Sequence, residues 1–143
     1  FIRYPGRLNP GVNDLMLGAT DIMPTLLGMM NLEDKLPETV KGKDYSQGIL
    51  TGKYKNVKKP VSQFFYQQKE KGVRTDRYSY LVTIDGNYQL FDNLKDPYQM
   101  HSLKMEEIPA KQAKLLRKEL GNWLKVSEDS WGKEQKFPDR ITY

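Results

Sequence analysis

Cysteine is absent from the 143 residues. No disulfide, zinc–thiolate site or thiol nucleophile can therefore be assembled from this chain alone. Histidine is almost absent: His101 is the only one, against six serines. A Ser-His-Asp triad would have to converge on that single imidazole, and a surface histidine in a turn is the plainer reading. Long apolar runs are missing, so no membrane span is expected. An initiator Met is missing as well, because the sequence opens Phe1-Ile2-Arg3. The chain is expected to be a fragment, and the absence of a leader says nothing about its parent.

What remains is ordinary soluble composition. Hydrophobic residues make up 38% and charged residues 29%, with a net charge of +5. That suffices for a domain with a modest core. A basic surface attracts anions, but this excess is moderate and spread along the chain, and it reads as a plain solvated surface.

Element signals run along the chain. Phe1-Ile2-Arg3-Tyr4-Pro5-Gly6 reads as a short strand ended by a Pro-Gly turn. Thr20–Met30 reads as a helix capped by Thr20 or Asp21, with Pro24 in its first turn. Ile22, Met23, Leu26, Leu27 and Met30 would form its apolar face, and Asn31 would stop it in a left-handed turn. With Met16 and Met29 nearby, the methionines of this region read as core filler before an adaptable binding groove. Residues 33–60 are polar and aperiodic and read as a long connection.

After Pro60 the pattern turns to β. Gln63-Phe64-Phe65-Tyr66-Gln67 is a strand by composition. Val73–Ile84 reads as one longer strand, with Tyr78, Tyr80, Val82 and Ile84 on one face. Asp85-Gly86 fits a two-residue hairpin turn, and Tyr88–Phe91 returns antiparallel. Asp96-Pro97 is a plausible helix start. Pro109–Val126 reads as a helix with Ala113, Leu116, Leu120, Trp123 and Leu124 on one face, and with Lys111, Lys114, Arg117 and Lys118 elsewhere. The tail after Trp131 is polar.

Chemistry-bearing residues are sparse. Asp92, Asn93 and Asp96 cluster, but a calcium loop needs more ligands at set spacing, so side chains bonding their own turn amides are the default. Lys53, Lys55, Lys58 and Lys59 with Tyr54 form a basic stretch. It lacks the stacking groups of a nucleic-acid module and reads as a solvated loop, with polyanion binding as an alternative. Arg74 and Arg77 are the substrate-binding candidates, because guanidinium groups clamp sulfate or carboxylate with paired N–H groups. They serve equally well as structural partners of carbonyls and acids.

The motifs taken in order resemble the sulfatase family. Phe1–Gly6 resembles "PFIIRYPG", and Thr20–Met29 looks like "TDIMPTLLDLAG". Val40–Ser46 is similar to "VQGKDLS", and Gly72–Leu81 to "GVRTDRYKYI". Leu90–Leu103 looks like "LYDLENDPYEMNNL". Ser79 stands where Lys is common, His101 where Asn is common, and Gly28-Met29-Met30-Asn31 lacks the usual "DLAG" ending.

The resemblance implies the C-terminal portion of a sulfuric ester hydrolase of the arylsulfatase or polysaccharide sulfatase type, within the alkaline phosphatase superfamily. It implies a formylglycine nucleophile and a calcium ion in the parent. Neither is assigned to this chain, which has no C/S-x-P-x-R, Asp-Asp or Asp-His-Gly motif. No catalytic or metal residue is carried over, and the chain alone is expected to be inactive.

The implied fold is α+β. A small antiparallel sheet of about four strands is packed by a long C-terminal helix, preceded by a strand and helix from the edge of a larger α/β domain. Residues 1–32 would be that edge, 33–60 the connection and 61–143 the C-terminal subdomain. The implied partners are the N-terminal sulfatase domain and a sulfated small molecule or glycan, without nucleic acid. The implied location is periplasmic or secreted. A related phosphate or phosphonate ester hydrolase carries a similar helix signature and stays open as an alternative.

Overall fold

The computed structural model describes residues 1–53, 63–66, 70–83 and 85–128. The chain divides into two compact units, Phe1–Pro60 and Val61–Tyr143. Within the expected readings, Tyr54, Lys55, Lys58, Lys59, Gln67, Ile84 and the tail after Trp131 lie outside the described residues.

The first unit is built on helix α1, Ala19–Met29. Gly18, rather than Thr20 or Asp21, is its N-cap. Asp21 caps from inside the first turn, with Oδ2 accepting the Gly18 N–H at 2.9 Å. The helix ends as the sequence suggests. Asn31 adopts φ 55, its N–H reaches the Gly28 carbonyl, and Leu32 N–H reaches Leu27. That pair of bonds is a left-handed C-terminal cap.

The roll of α1 differs from the expectation. Ile22, Met23, Leu26 and Met30 are exposed, while Asp21, Pro24, Thr25, Gly28 and Met29 are buried. Hydrogen bonding to residues 42–46 selects that side. Asp21 Oδ1 accepts the Lys43 N–H at 2.8 Å, and Thr25 Oγ1 accepts the Tyr45 N–H at 3.2 Å. Pro24 lies inside the helix, not in its first turn. It has no N–H for the Thr20 carbonyl four residues back. Gly42 packs against that carbonyl so closely that a Cβ there would collide with it.

Residues 33–53, expected as part of a connection, carry a single 3-10 turn, Glu33–Lys35, and helix α2, Ser46–Thr51. The strand expected at Phe1–Gly6 is not formed; Pro5–Arg7 make a turn instead. A strand needs a paired neighbour, and the described part of this unit contains none.

The second unit is α+β. Strands β1 (Gln63–Tyr66), β2 (Glu70–Arg74), β3 (Tyr78–Thr83) and β4 (Tyr88–Asp92) form a four-stranded antiparallel meander in chain order. The single strand expected over Val73–Ile84 is in fact β2 and β3, broken at Thr75–Arg77. Thr75 Oγ1 accepts the N–H groups of Arg77 and Tyr78 at 3.3 and 2.9 Å, a side-chain turn that competes with the ladder. The β3–β4 connection has three positions between its closing pair, not two, because Thr83 N–H bonds the Asn87 carbonyl at 2.9 Å. Gly86, at φ 84, supplies the left-handed position of such a loop.

Helix α3, Ala110–Val126, covers one sheet face. Val73, Tyr80 and Leu90 are in register across three strands and meet Leu116, Leu120 and Leu124 in one core cluster. Trp123 packs at its edge. No helix starts at Asp96-Pro97; that segment is a turn. The outer edge of β4 is closed by Ser102 and Leu103. Leu90 N–H donates to Ser102 Oγ at 3.1 Å, and Leu103 N–H to the Leu90 carbonyl at 2.7 Å. An open edge would invite pairing with another chain.

Leu116→Ala is expected to cost the second unit about 2–5 kcal/mol, because a fully buried leucine leaves a cavity. Denaturant unfolding checks this, and a loss under about 0.5 kcal/mol, as for a surface site, would contradict the core assignment. Gly42→Ala is expected to loosen residues 42–46 from α1 by about 1–3 kcal/mol. Hydrogen exchange of the Lys43 and Tyr45 amides should then accelerate.

Candidate functional site

The polar groups of the second unit gather at one end of its sheet. The β2–β3 turn and the segment after β4 meet there, because Tyr78 pairs with Asp92 and Asn93 N–H bonds the Arg77 carbonyl at 2.7 Å. Arg77 forks onto Asp92: Nε lies 3.2 and 3.1 Å from the two carboxylate oxygens, and Nη2 lies 2.8 Å from Oδ2. The side chain of Asp92 is 6% exposed and that of Arg77 44%. The pair thus has a buried acid and a guanidinium open on one side. The guanidinium also lies 5.1 Å over the Tyr78 ring. The Arg77 hydrogen bond holds the Asp92 carboxyl below the ordinary carboxylate range, helped by the Leu94 amide.

A second layer sits beneath. Asn93 Oδ1 accepts from Ser79 Oγ at 3.1 Å and from Gln99 Nε2 at 2.8 Å. Gln99 Nε2 also reaches Ser79 Oγ at 3.1 Å, and its backbone takes φ 55. Asn93 Nδ2 is buried without a hydrogen-bond partner. These contacts brace Arg77 and Asp92.

The sequence candidates fall as follows. Arg77 stands in this cluster. Arg74 is half-buried, in register with Ser79, on the sheet face opposite Val73 and α3. Asp96 Oδ2 accepts the His101 N–H at 2.8 Å, which lowers the Asp96 carboxyl. His101 itself is 89% exposed. Asp92 and Asp96 thus spend their oxygens on Arg77 and on turn amides, the default reading. Among the described residues no three of His, Cys, Asp or Glu converge to hold a metal ion, so no group here is fitted to calcium. Among the described residues no helix is long and apolar enough to cross a membrane. Of the methionines at α1, Met29 fills the core, while Met23 and Met30 are exposed.

One feature escaped the sequence reading. A groove of about 1120 Å³ runs between α3 and the 3-10 turn Met105–Glu107. Its signal was visible as lysines spaced three and four apart on α3. Its depth depends on where residues 105–108 dock.

A four-stranded antiparallel meander backed by one long helix, following α1 and carrying the Arg-Thr-Asp-Arg-Tyr turn, agrees with the fold expected of a sulfatase C-terminal part. The chain belongs to the family described as N-sulphoglucosamine sulphohydrolase, C-terminal, which matches residues 1–126. It is 34% identical to an endo-4-O-sulfatase of Bacteroides thetaiotaomicron, over 99% of this chain and 32% of the relative. It is 32% identical to an ulvan-active sulfatase of Formosa agariphila, over 71% of this chain and 21% of the relative. A solved structure described in the metabolism of multiple glycosaminoglycans by Bacteroides thetaiotaomicron superposes with a TM-score of 0.82 at 32% identity. That superposition covers 99% of this chain and 33% of the other. The chain thus spans a third or less of the relatives it matches.

Arg77→Ala should raise the Asp92 carboxyl toward its ordinary value. The folded-state value is depressed, so the pair stabilises fully above the unfolded-state carboxylate range and the contribution fades as pH falls through the folded value. A carbon-detected NMR titration of Asp92 reads the shift. An unchanged titration in the variant would show that Arg77 is not its cause.

Proposed function

We propose that this chain is the C-terminal portion of a sulfatase that removes sulfate esters from a sulfated polysaccharide. The family match across residues 1–126 carries the reading. The two relatives, an endo-4-O-sulfatase and an ulvan-active sulfatase, support the substrate class. The nucleophile and the metal belong to the upstream portion. A formylglycine and a calcium ion bound there would supply nucleophilic and Lewis-acid chemistry. No residue of this chain is assigned to either, and the chain alone is inactive. The location is periplasmic or secreted.

Residues 1–32 complete the edge of the large domain, 33–60 form the connection and 61–143 form the C-terminal subdomain. The exposed apolar side chains Ile22, Met23, Leu26 and Met30 support this, since such a face is buried in a finished protein. The occupant is the upstream portion; this chain matches 32% of the length of the endo-4-O-sulfatase.

Arg74 and Arg77 contact the sulfated substrate. Arg77 Nε and Nη2 are pinned by Asp92, which fixes the outer edge of its guanidinium. A pre-oriented fork suits the paired oxygens of a sulfate. Both arginines act in binding and orientation.

The test is sulfate release from chondroitin 4-sulfate by the whole protein. Arg74→Ala and Arg77→Ala are each expected to raise KM about tenfold or more, the loss of one charged hydrogen bond, with kcat little changed. Release of phosphate from phosphate esters without sulfate release would overturn the sulfatase reading. Unchanged KM in both variants would remove the arginines from the substrate site.

A further inference from the structure

The outer side of α3 carries charge that neither the sheet nor the sulfatase chemistry uses. Lys111, Lys114 and Lys118 are exposed and recur at i, i+3 and i+7. They therefore share one stripe about 10 Å long, turned away from Leu116 and Leu120. Among the described residues no ion pair engages Lys114 or Lys118. The same lysines wall the groove between α3 and the Met105–Glu107 turn, where Arg117 and Lys125 also stand, against Glu106. Its apolar floor comes from Met105, Ile108 and Ala113. Cations over an apolar floor match a polymer of sugar rings, whose C–H faces pack on methyl groups while their sulfates meet ammonium groups.

We infer that this groove is a second, non-catalytic binding site for a sulfated polysaccharide chain. It holds the polymer while a distant sulfate is cleaved. The inference rests on the sulfated-glycan reading above, but its test requires no turnover.

Calorimetry on the full 143-residue chain, at about 0.15 M salt, uses size-fractionated chondroitin 4-sulfate as the probe. Desulfated chondroitin and duplex DNA serve as comparisons. Lys114→Gln/Lys118→Gln should weaken chondroitin sulfate binding about tenfold, with a shallower salt dependence by analogy with other polyanions. Lys114→Arg/Lys118→Arg should bind as the parent does. The charge-matched Lys41→Gln/Lys43→Gln, in the first unit, should change affinity less than about twofold, the scale of a change in net charge alone under screening. Circular dichroism confirms that each variant keeps its helix.

Equal losses in the two glutamine pairs would reduce the effect to net charge and overturn the site. DNA binding as tight as chondroitin sulfate binding would assign the groove to polyanions in general and overturn its specificity. Absence of binding by the parent chain would overturn it outright. Sulfate release by the whole protein is read separately, so failure of either claim is distinguishable from failure of the other.

Discussion

The packing of α3 on the sheet governs the second unit. Leu90, Leu116 and Leu120 have no exposed surface, and each contributes about 1.5–3 kcal/mol by leaving water. Because Leu116 and Leu120 lie on a single stripe of α3, facing Leu90 of β4, their burial fixes how the helix is rolled. The roll in turn sends Lys111, Lys114 and Lys118 outward. Val73, Tyr80 and Leu90 face the helix, so their neighbours Arg74, Ser79 and Phe91 face the other way. The two arginines, the braced sheet end and the basic groove all follow from which side of each element the core takes.

In the first unit hydrogen bonding dominates over apolar burial. Asp21 bridges the Gly18 and Lys43 amides, and Thr25 meets Tyr45. Pro24 leaves the Thr20 carbonyl without its helical partner, and Gly42 approaches it. The side of α1 that carries these groups must turn inward, since buried polar groups are costly unless paired. The apolar side then faces out. The chain spans a third or less of the relatives it matches, and the upstream portion is the cover proposed for this side.

Local signals were legible where local physics decides. The spacing of Ala113, Leu116, Leu120 and Leu124 predicts α3, and Asn31 predicts the end of α1. Both hold because one helix's own pattern is sufficient. The break at Thr75–Arg77 was hidden inside an apolar run, since a single threonine hydroxyl turning the chain looks like any β-branched strand residue. The roll of α1 was misread because its partner, residues 42–46, lies twenty positions away. Asp96 bonds a turn amide as its sequence suggests, whereas Asp92 adds to its Leu94 amide bond a fork from Arg77, which depends on register between β3 and β4 and has no local signature. The groove behind α3 has its lysines in plain view and its second wall in a segment of no regular pattern.

The functional account separates scaffold from chemistry. In the function proposed above, this chain supplies oriented arginines and a cationic groove, and the bond-breaking groups lie in the upstream portion. Assay of aryl sulfate hydrolysis by the 143-residue chain alone tests that division most directly. The account predicts no turnover above a buffer blank at any calcium concentration. Turnover that a chelator abolishes would place a complete active site within these residues and contradict it.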